Sequence, residues 1–122
     1  MKKLLLADDS VTIQRVIELT FSGEDVDVLT ASDGEEAVAR IAADKPDIVL
    51  ADIGMPKRSG YDVLRELRSD ESCAGMKVIM LTARAQDRDV DVGFSLGADD
   101  YITKPFSPQE LRVRIGAHLN KR

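Results

Sequence analysis

Five polar side chains in this sequence have the types that metal and phosphate chemistry requires: three carboxylates, one hydroxyl and one ammonium. They are Asp8, Asp9, Asp52, Thr82 and Lys104. Three carboxylates within about 4 Å of one another would repel by roughly 4 kcal/mol per pair at an effective dielectric constant near 20. Proton uptake would relieve this repulsion, and so would a divalent cation. Mg²⁺, or Mn²⁺ in its place, suits the set because Mg²⁺ prefers oxygen ligands and binds phosphate alongside one or two carboxylates.

The same residues suggest a reaction at Asp52. Carboxylates form aspartyl phosphates in other proteins, and phosphoryl transfer depends mainly on positioning and on charge neutralisation. We therefore interpret Asp52 as a candidate nucleophile, with Lys104 and Thr82 placed to hold the phosphoryl oxygens. A simpler alternative is that Asp52 only caps a turn, since Asp is common in turns and helix caps.

Short apolar runs precede these polar residues and predict buried parallel strands, which are apolar on both faces. The predicted strands are 4–7, 26–29, 48–51, 77–81 and 101–103. Between and after them, helical spacing predicts five helices. The first three follow caps at Ser10, Ser32 and Ser59, the fourth covers 86–96, and the fifth follows a cap at Ser107. Ser32 and Glu35 fit a capping box.

Strands that alternate with helices predict one α/β domain over residues 1–122, with a parallel sheet and helices on both faces. The carboxyl ends of parallel strands share one edge, where ligands bind in doubly wound folds. The five polar residues are therefore expected to meet there.

Composition excludes several functional classes. The net charge of -5 argues against binding to nucleic acid. Cys73 is the only cysteine, so no intramolecular disulfide can form, and a cytoplasmic protein with a structural thiol is expected. The apolar run at 4–7 is too short to span a membrane. The single histidine, His118, is interpreted as a cation near a helix C-terminus.

With these motifs in this order, the chain resembles the receiver domain of two-component response regulators from about Lys3 to Leu119. The motifs that carry the resemblance are Leu-Ala-Asp-Asp-Ser at 6–10, Asp52 followed by Met55-Pro56 and Gly60, Thr82-Ala83, Gly-Ala-Asp-Asp-Tyr at 97–101, and Lys104-Pro105-Phe106. The resemblance implies a flavodoxin-like fold, a doubly wound five-stranded parallel sheet of order 2-1-3-4-5 with five helices on both faces.

The resemblance also implies roles for the residues at the sheet edge. Asp52 would be the phosphoacceptor, and Asp9 and Asp52 would bind Mg²⁺ with the main-chain carbonyl of Gly54, assisted by Asp8. Thr82 would hold the phosphoryl group together with Lys104.

Two further features follow from the family. Thr82 and Tyr101 would form the switch, in which Tyr101 turns inward in the active state. The peptide between Lys104 and Pro105 would be cis, which costs only about 0.5–1 kcal/mol before proline.

The implied function is a phosphoacceptor switch in a two-component phosphorelay. A histidine kinase or phosphotransfer protein would phosphorylate Asp52, and the face formed by the fourth helix, the fifth strand and the last helix would then regulate a downstream protein. Such a protein assists its own phosphorylation and dephosphorylation without being a free-standing enzyme. It is expected to be cytoplasmic, away from membranes, and a monomer or a weak phosphorylation-dependent homodimer. Arg114 with Asp99 or Asp100 is a candidate bridge between subunits.

Two alternatives belong to other classes. A phosphatase of the haloacid dehalogenase kind also forms an aspartyl phosphate, but it requires a second acid two residues after the nucleophile, where this chain has Gly54. The second alternative is a receiver-like docking module that acts without phosphorylation. It is disfavoured because all the edge residues are present.

Overall fold

The computed structural model describes residues 2–55, 57–73, 75–82, 97–104 and 106–119. Its strands are β1 (Lys2–Ala7), β2 (Val26–Ala31), β3 (Ile48–Asp52), β4 (Lys77–Thr82) and β5 (Asp100–Thr103). Its helices are α1 (Val11–Thr20), α2 (Gly34–Asp44), α3 (Gly60–Ser69) and α4 (Pro108–Leu119), with a short 3₁₀ helix at Glu71–Cys73. The helix predicted over 86–96 lies outside the described residues, as does Pro105 of the predicted cis peptide.

All strand pairs are parallel, in the order β2-β1-β3-β4-β5, which confirms the predicted sheet. Two apolar clusters lie on opposite faces of it. Leu5 of β1 belongs to the cluster that contains residues of α2 and α3. Leu4 and Leu6 belong to the other, which contains residues of α1 and α4. This alternation follows from the two-residue period of strand side chains and explains why the buried stretches of β1, β3 and β4 are apolar on both faces.

Side-chain caps fix where the helices begin. Ser10 accepts a hydrogen bond from the main-chain N–H of Ile13, and Ser59 forms a capping box with Asp62. The predicted cap at Ser32 is wrong. Asp33 caps α2, and its carboxylate accepts the main-chain N–H of Glu36 at 2.8 Å. The side chains of Ser32 and Asp33 are both suited to capping, so the sequence alone favoured the wrong one of two neighbours.

Charged side chains tie the later elements together within the chain. Arg68 of α3 donates to the carbonyl oxygens of Gly97 and Met76 at 2.9 and 2.8 Å and pairs with Asp99 at 2.9 Å. Arg114 of α4 pairs with Asp100 at 2.8 Å. The acids considered above as partners across a subunit interface therefore already have partners inside one chain, and homodimerisation stays a prediction.

None of the helices in the described ranges has both the length and the apolar character needed to cross a lipid bilayer.

Candidate functional site

The carboxyl ends of β1 and β3 bring three carboxylates together. Asp8 and Asp9 follow β1, Asp52 ends β3, and one carboxylate oxygen from each lies within 4.8 Å of the other two. Asp8 is fully buried, the Asp52 side chain is 15% exposed, and Asp9 is exposed. The predicted convergence of these acids is confirmed. Their burial differs enough that each has its own electrostatic environment.

Lys104 is the cation of this site. Its ammonium nitrogen, Nζ, lies 2.8 Å from Oδ2 of Asp8 and 3.4 Å from Oδ1 of Asp52. Its main-chain N–H donates to the carbonyl oxygen of Thr82 at 2.7 Å, which fixes the end of β5 against the end of β4. One positive charge therefore lies against two of the three carboxylates.

The pKa of Asp52 is raised above its usual value. Burial is the largest cause and the charge of Asp8 adds to it, while Lys104 opposes both. For Lys104, burial would lower the pKa, but the hydrogen bond to Asp8, the charge of Asp8 and the charge of Asp52 outweigh burial and raise it. A positive Lys104 is thus retained beside a carboxylate that resists ionisation. At Asp52, burial and the charge of Asp8 together outweigh this one adjacent cation.

The loop after Asp52 is held closely against the sheet. The N–H of Ile53 donates to the carbonyl oxygen of Leu81 at 3.1 Å, and the N–H of Gly60 donates to that of Ile53 at 3.2 Å. A Cβ atom at position 60 would lie 2.7 Å from the carbonyl oxygen of Asp52. Glycine at this position therefore allows α3 to begin directly against the strand that carries Asp52.

The remaining predicted residues take varied positions. Thr82 is buried at the end of β4, beside Thr103 in the strand register. Tyr101 is half-buried on β5, and its hydroxyl oxygen lies 3.4 Å from that of Tyr61. Gly54 is exposed, with its N–H 3.4 Å from Oδ1 of Asp52. The roles assigned to these residues stay predictions, including the Gly54 carbonyl as a ligand.

Sequence reasoning missed Gln14. This side chain of α1 donates from Nε2 to the main-chain carbonyl oxygen of Asp8 at 2.8 Å. A single polar position on a helix gives no pattern that identifies such a contact, and only the sheet and helix packing reveals it.

The donor set fits a magnesium ion. Carboxylate oxygens are the ligands this cation prefers, and it commonly retains several waters alongside one or two carboxylates. Asp9 and Asp52 would hold the ion, with Asp8 close enough to assist.

Comparisons with known proteins agree with this geometry. Residues 4–116 match the family model described as the response regulator receiver domain. The chain is 45% identical to the ycf27 protein of Guillardia theta, over 98% of this chain and 46% of that protein. It is 40% identical to the alkaline phosphatase synthesis transcriptional regulatory protein PhoP of Bacillus subtilis, over 98% of this chain and 49% of that protein. The chain thus spans about half the length of the curated relatives it matches.

A solved structure shows the same fold. The chemotaxis response regulator CheY4 of Vibrio cholerae superimposes with a TM-score of 0.91 at 28% identity, covering 97% of this chain and 98% of that one. With the family model matching nearly the whole length and the acidic cluster at the expected edge of the sheet, the chain belongs to the response regulator receiver domain family.

Proposed function

We propose that this chain is a phosphoacceptor switch of a two-component phosphorelay, in which Asp52 accepts a phosphoryl group from a histidine kinase or phosphotransfer protein. The observation that carries the proposal is the meeting of Asp8, Asp9, Asp52 and Lys104 at one edge of the sheet, with the Lys104 ammonium 3.4 Å from the Asp52 carboxylate. Such an arrangement positions a nucleophile and neutralises charge, the two requirements of phosphoryl transfer.

The proposed reaction has Asp52 as the attacking group. A carboxylate oxygen of Asp52 forms a bond to phosphorus while the bond from phosphorus to the histidine nitrogen of the phosphoryl donor breaks. That nitrogen keeps the bonding electrons and takes up a proton. Lys104 pairs with the oxygens of the transferred group, and the Thr82 hydroxyl donates to one of them. When bound by Asp9, Asp52 and the Gly54 carbonyl, with Asp8 assisting, Mg²⁺ would supply further charge neutralisation at those oxygens.

Phosphorylation would act as a switch through charge. It adds roughly −1.5 to −2 charges and three acceptor oxygens at Asp52. Reversing a 1:99 population of active and inactive states requires about 5.5 kcal/mol. Two charge-assisted hydrogen bonds, from Thr82 and Lys104, would supply about 1.5–3 kcal/mol each. Movement of Thr82 would make room for Tyr101, and the face formed by the helix predicted over 86–96, β5 and α4 would change.

The output of the switch is proposed to be regulation of a protein partner. PhoP is named as a transcriptional regulatory protein and is about twice as long as this chain, so transcription is a candidate output through a further domain or a separate partner. The net charge of -5 argues against direct contact of this domain with DNA. The chain would not be a free-standing enzyme, and the cytoplasm is its proposed location.

Incubation with acetyl phosphate and Mg²⁺, followed by intact mass measurement, tests the phosphoacceptor. We expect one added phosphoryl group on the wild-type chain and none on Asp52→Asn. Asp100→Asn is the matched control, because it neutralises an acid outside the cluster and should leave phosphorylation intact. Absence of an adduct on the wild-type chain would favour the docking module instead.

The coupling between site and surface needs a separate variant. Lys104→Ala keeps the main-chain hydrogen bond from residue 104 to Thr82 but leaves the buried Asp8 carboxylate without its cationic partner, so circular dichroism must first show that the variant is folded. Phosphorylation should then no longer change affinity for the downstream partner. Partner affinity that still responds as in the wild-type chain would contradict the proposed switch.

A further inference from the structure

Gln14 joins three segments around the acidic cluster without reaching the carboxylates of Asp9 or Asp52. Its Nε2 donates to the main-chain carbonyl oxygen of Asp8 at 2.8 Å and lies 3.4 Å from the hydroxyl oxygen of Ser32, in the turn between β2 and α2. The main-chain N–H of Gln14 donates to the carbonyl oxygen of Ser10 at 3.1 Å, so Gln14 lies one helical turn after the cap of α1. Gln14 therefore joins α1 to the end of β1 and to the turn before α2.

Every polar group of Asp8 has a partner, and these partners come from different parts of the fold. The N–H of Asp8 donates to Ala31 at 3.0 Å, and Oδ1 accepts from the N–H of Ser10 at 2.9 Å. Oδ2 accepts from Lys104 at 2.8 Å, and the carbonyl oxygen accepts from Gln14. Only two of these partners are side chains, and Gln14 is the one outside the proposed phosphoryl-binding set.

The carbonyl held by Gln14 belongs to the peptide group that joins Asp8 to Asp9. That group is planar, so fixing its oxygen also fixes the direction of the Asp9 N–H and the position of the Asp9 Cα. Asp9 is exposed, so the surrounding side chains restrict its carboxylate less than they restrict that of Asp8. The orientation of the peptide is therefore a major determinant of where the Asp9 carboxylate lies.

We propose that Gln14 is a positioning residue for the divalent-cation site and sets its affinity through the Asp8–Asp9 peptide. The inference rests on the proposed function only in that the cation is Mg²⁺ bound by Asp9 and Asp52. Partners that orient metal ligands typically change metal affinity by about 10–100-fold when removed. Because Gln14 acts through the main chain, we expect about tenfold, the lower end of that range.

The test compares Gln14→Met, which keeps the length of the side chain but removes its donor, with Gln14→Asn, which keeps the amide but shortens its reach. Gln109→Met on the exposed side of α4 is the matched control. Calorimetric titration with MgCl₂ alone should show affinity about tenfold weaker in both Gln14 variants and unchanged in the control. The Ser10 N–H donates to Oδ1 of Asp8, so it reports how firmly Asp8 is held. In the metal-free protein, this N–H should exchange its hydrogen with solvent faster in both Gln14 variants.

Phosphorylation by acetyl phosphate then separates positioning from general damage. The Mg²⁺ concentration for half-maximal rate should rise about tenfold in the Gln14 variants, while the rate at saturating Mg²⁺ stays within twofold of wild type. An unchanged Mg²⁺ affinity overturns the inference. A tenfold fall in the rate at saturating Mg²⁺, or a failure of both Gln14 variants to fold, overturns it as well. If the wild-type chain binds Mg²⁺ but accepts no phosphoryl group, the proposed function fails while the affinity result still decides the role of Gln14.

Discussion

Asp52 and Asp100 are the same residue type on one sheet, yet their surroundings have opposite effects. Asp100 accepts hydrogen bonds from Arg114 at 2.8 Å and from the N–H of Tyr101 at 2.8 Å, and it lies 3.1 Å from Nε2 of His118. Burial favours a higher pKa for Asp100, but the hydrogen bond to His118, the Tyr101 N–H and the charge of Arg114 together lower it. At Asp52, burial and the charge of Asp8 raise the pKa despite Lys104.

The difference distinguishes two kinds of charged cluster within one chain. Around Asp100, donors outnumber the single carboxylate, and the cluster joins β5 to α4. In the acidic cluster, three carboxylates lie close together, and Lys104 pairs with two of them, Asp8 and Asp52, among the described contacts. Unfavourable charge of this kind is commonly retained at functional sites, and here it favours entry of a cation and of a group held by Lys104.

The largest effect should come from neutralising each acid in turn. Asp100→Asn loses charge-assisted hydrogen bonds and should lower the free energy of unfolding by about 1.5–3 kcal/mol. Asp52→Asn relieves repulsion and should raise it by roughly 0.5–2 kcal/mol. Urea unfolding at pH 7 without metal measures both, and changes of the same sign would remove the contrast between the two regions.

Mg²⁺ should stabilise only through the acidic cluster. At a concentration 100 times its dissociation constant, a ligand bound only by the folded state adds about 2.7 kcal/mol. We expect this gain in the wild-type chain and in Asp100→Asn, and a much smaller one in Asp9→Asn. Urea unfolding with and without MgCl₂ gives the comparison. An equal gain in all three proteins would place the cation elsewhere.

Asp52 and Asp100 should change the free energy of unfolding with pH in opposite directions. The folded-state pKa of Asp52 lies above the ordinary value of 3.8, so its contribution is present below pH 3.8 and is lost as pH rises through the folded pKa. The folded-state pKa of Asp100 lies below 3.8, so its contribution is present above pH 3.8 and is lost as pH falls through the folded pKa.

Unfolding of both variants across acidic pH tests these signs. The stabilisation by Asp52→Asn should be absent below pH 3.8 and appear as pH rises. The destabilisation by Asp100→Asn should be full at neutral pH and disappear well below pH 3.8. A stabilisation by Asp52→Asn that is independent of pH would mean that ionisation is not its cause.

The smallest effect concerns Arg114, the more exposed partner of Asp100. The Arg114 side chain is 43% exposed, and exposed ion pairs typically contribute about 0.2–1 kcal/mol. Arg114→Gln should therefore cost less than Asp100→Asn. Arg65→Gln is the control, since Arg65 pairs with Asp62 at 3.5 Å and is 62% exposed. If Arg114→Gln lowered the free energy of unfolding as much as Asp100→Asn, the stabilisation by Asp100 would come entirely from its pair with Arg114.

Sequence patterns predicted the sheet and the acidic cluster because both depend on short-range signals. The strands β1, β3 and β4 each contain an apolar run, and the polar residue at the end of that run must lie at the carboxyl edge once the strands are parallel. The order of the strands came from the resemblance to the receiver family, since apolar runs alone do not specify which strands are neighbours.

Contacts between distant segments could not be predicted in the same way. Gln14, Arg68 and Lys45 are ordinary polar positions in the sequence, and their partners depend on packing. The Lys45 ammonium lies 3.8 Å from the sulfur of Cys73, 28 residues away, although no basic residue adjoins Cys73 in the sequence. The Ser32 hydroxyl lies near Gln14 instead of capping α2, which shows how a long-range contact can accompany the loss of a locally favoured one.

The pairing of Tyr61 with Tyr101 makes the protein its own optical probe. The chain has two tyrosines and no tryptophan, and the two phenol oxygens are 3.4 Å apart. Tyrosine emission from the unlabelled protein therefore arises from this one pair, which includes Tyr101, the residue proposed to turn inward. Rotation of the Tyr101 ring would change quenching between the two phenols, so the proposed switching would be observable in real time without attaching a dye.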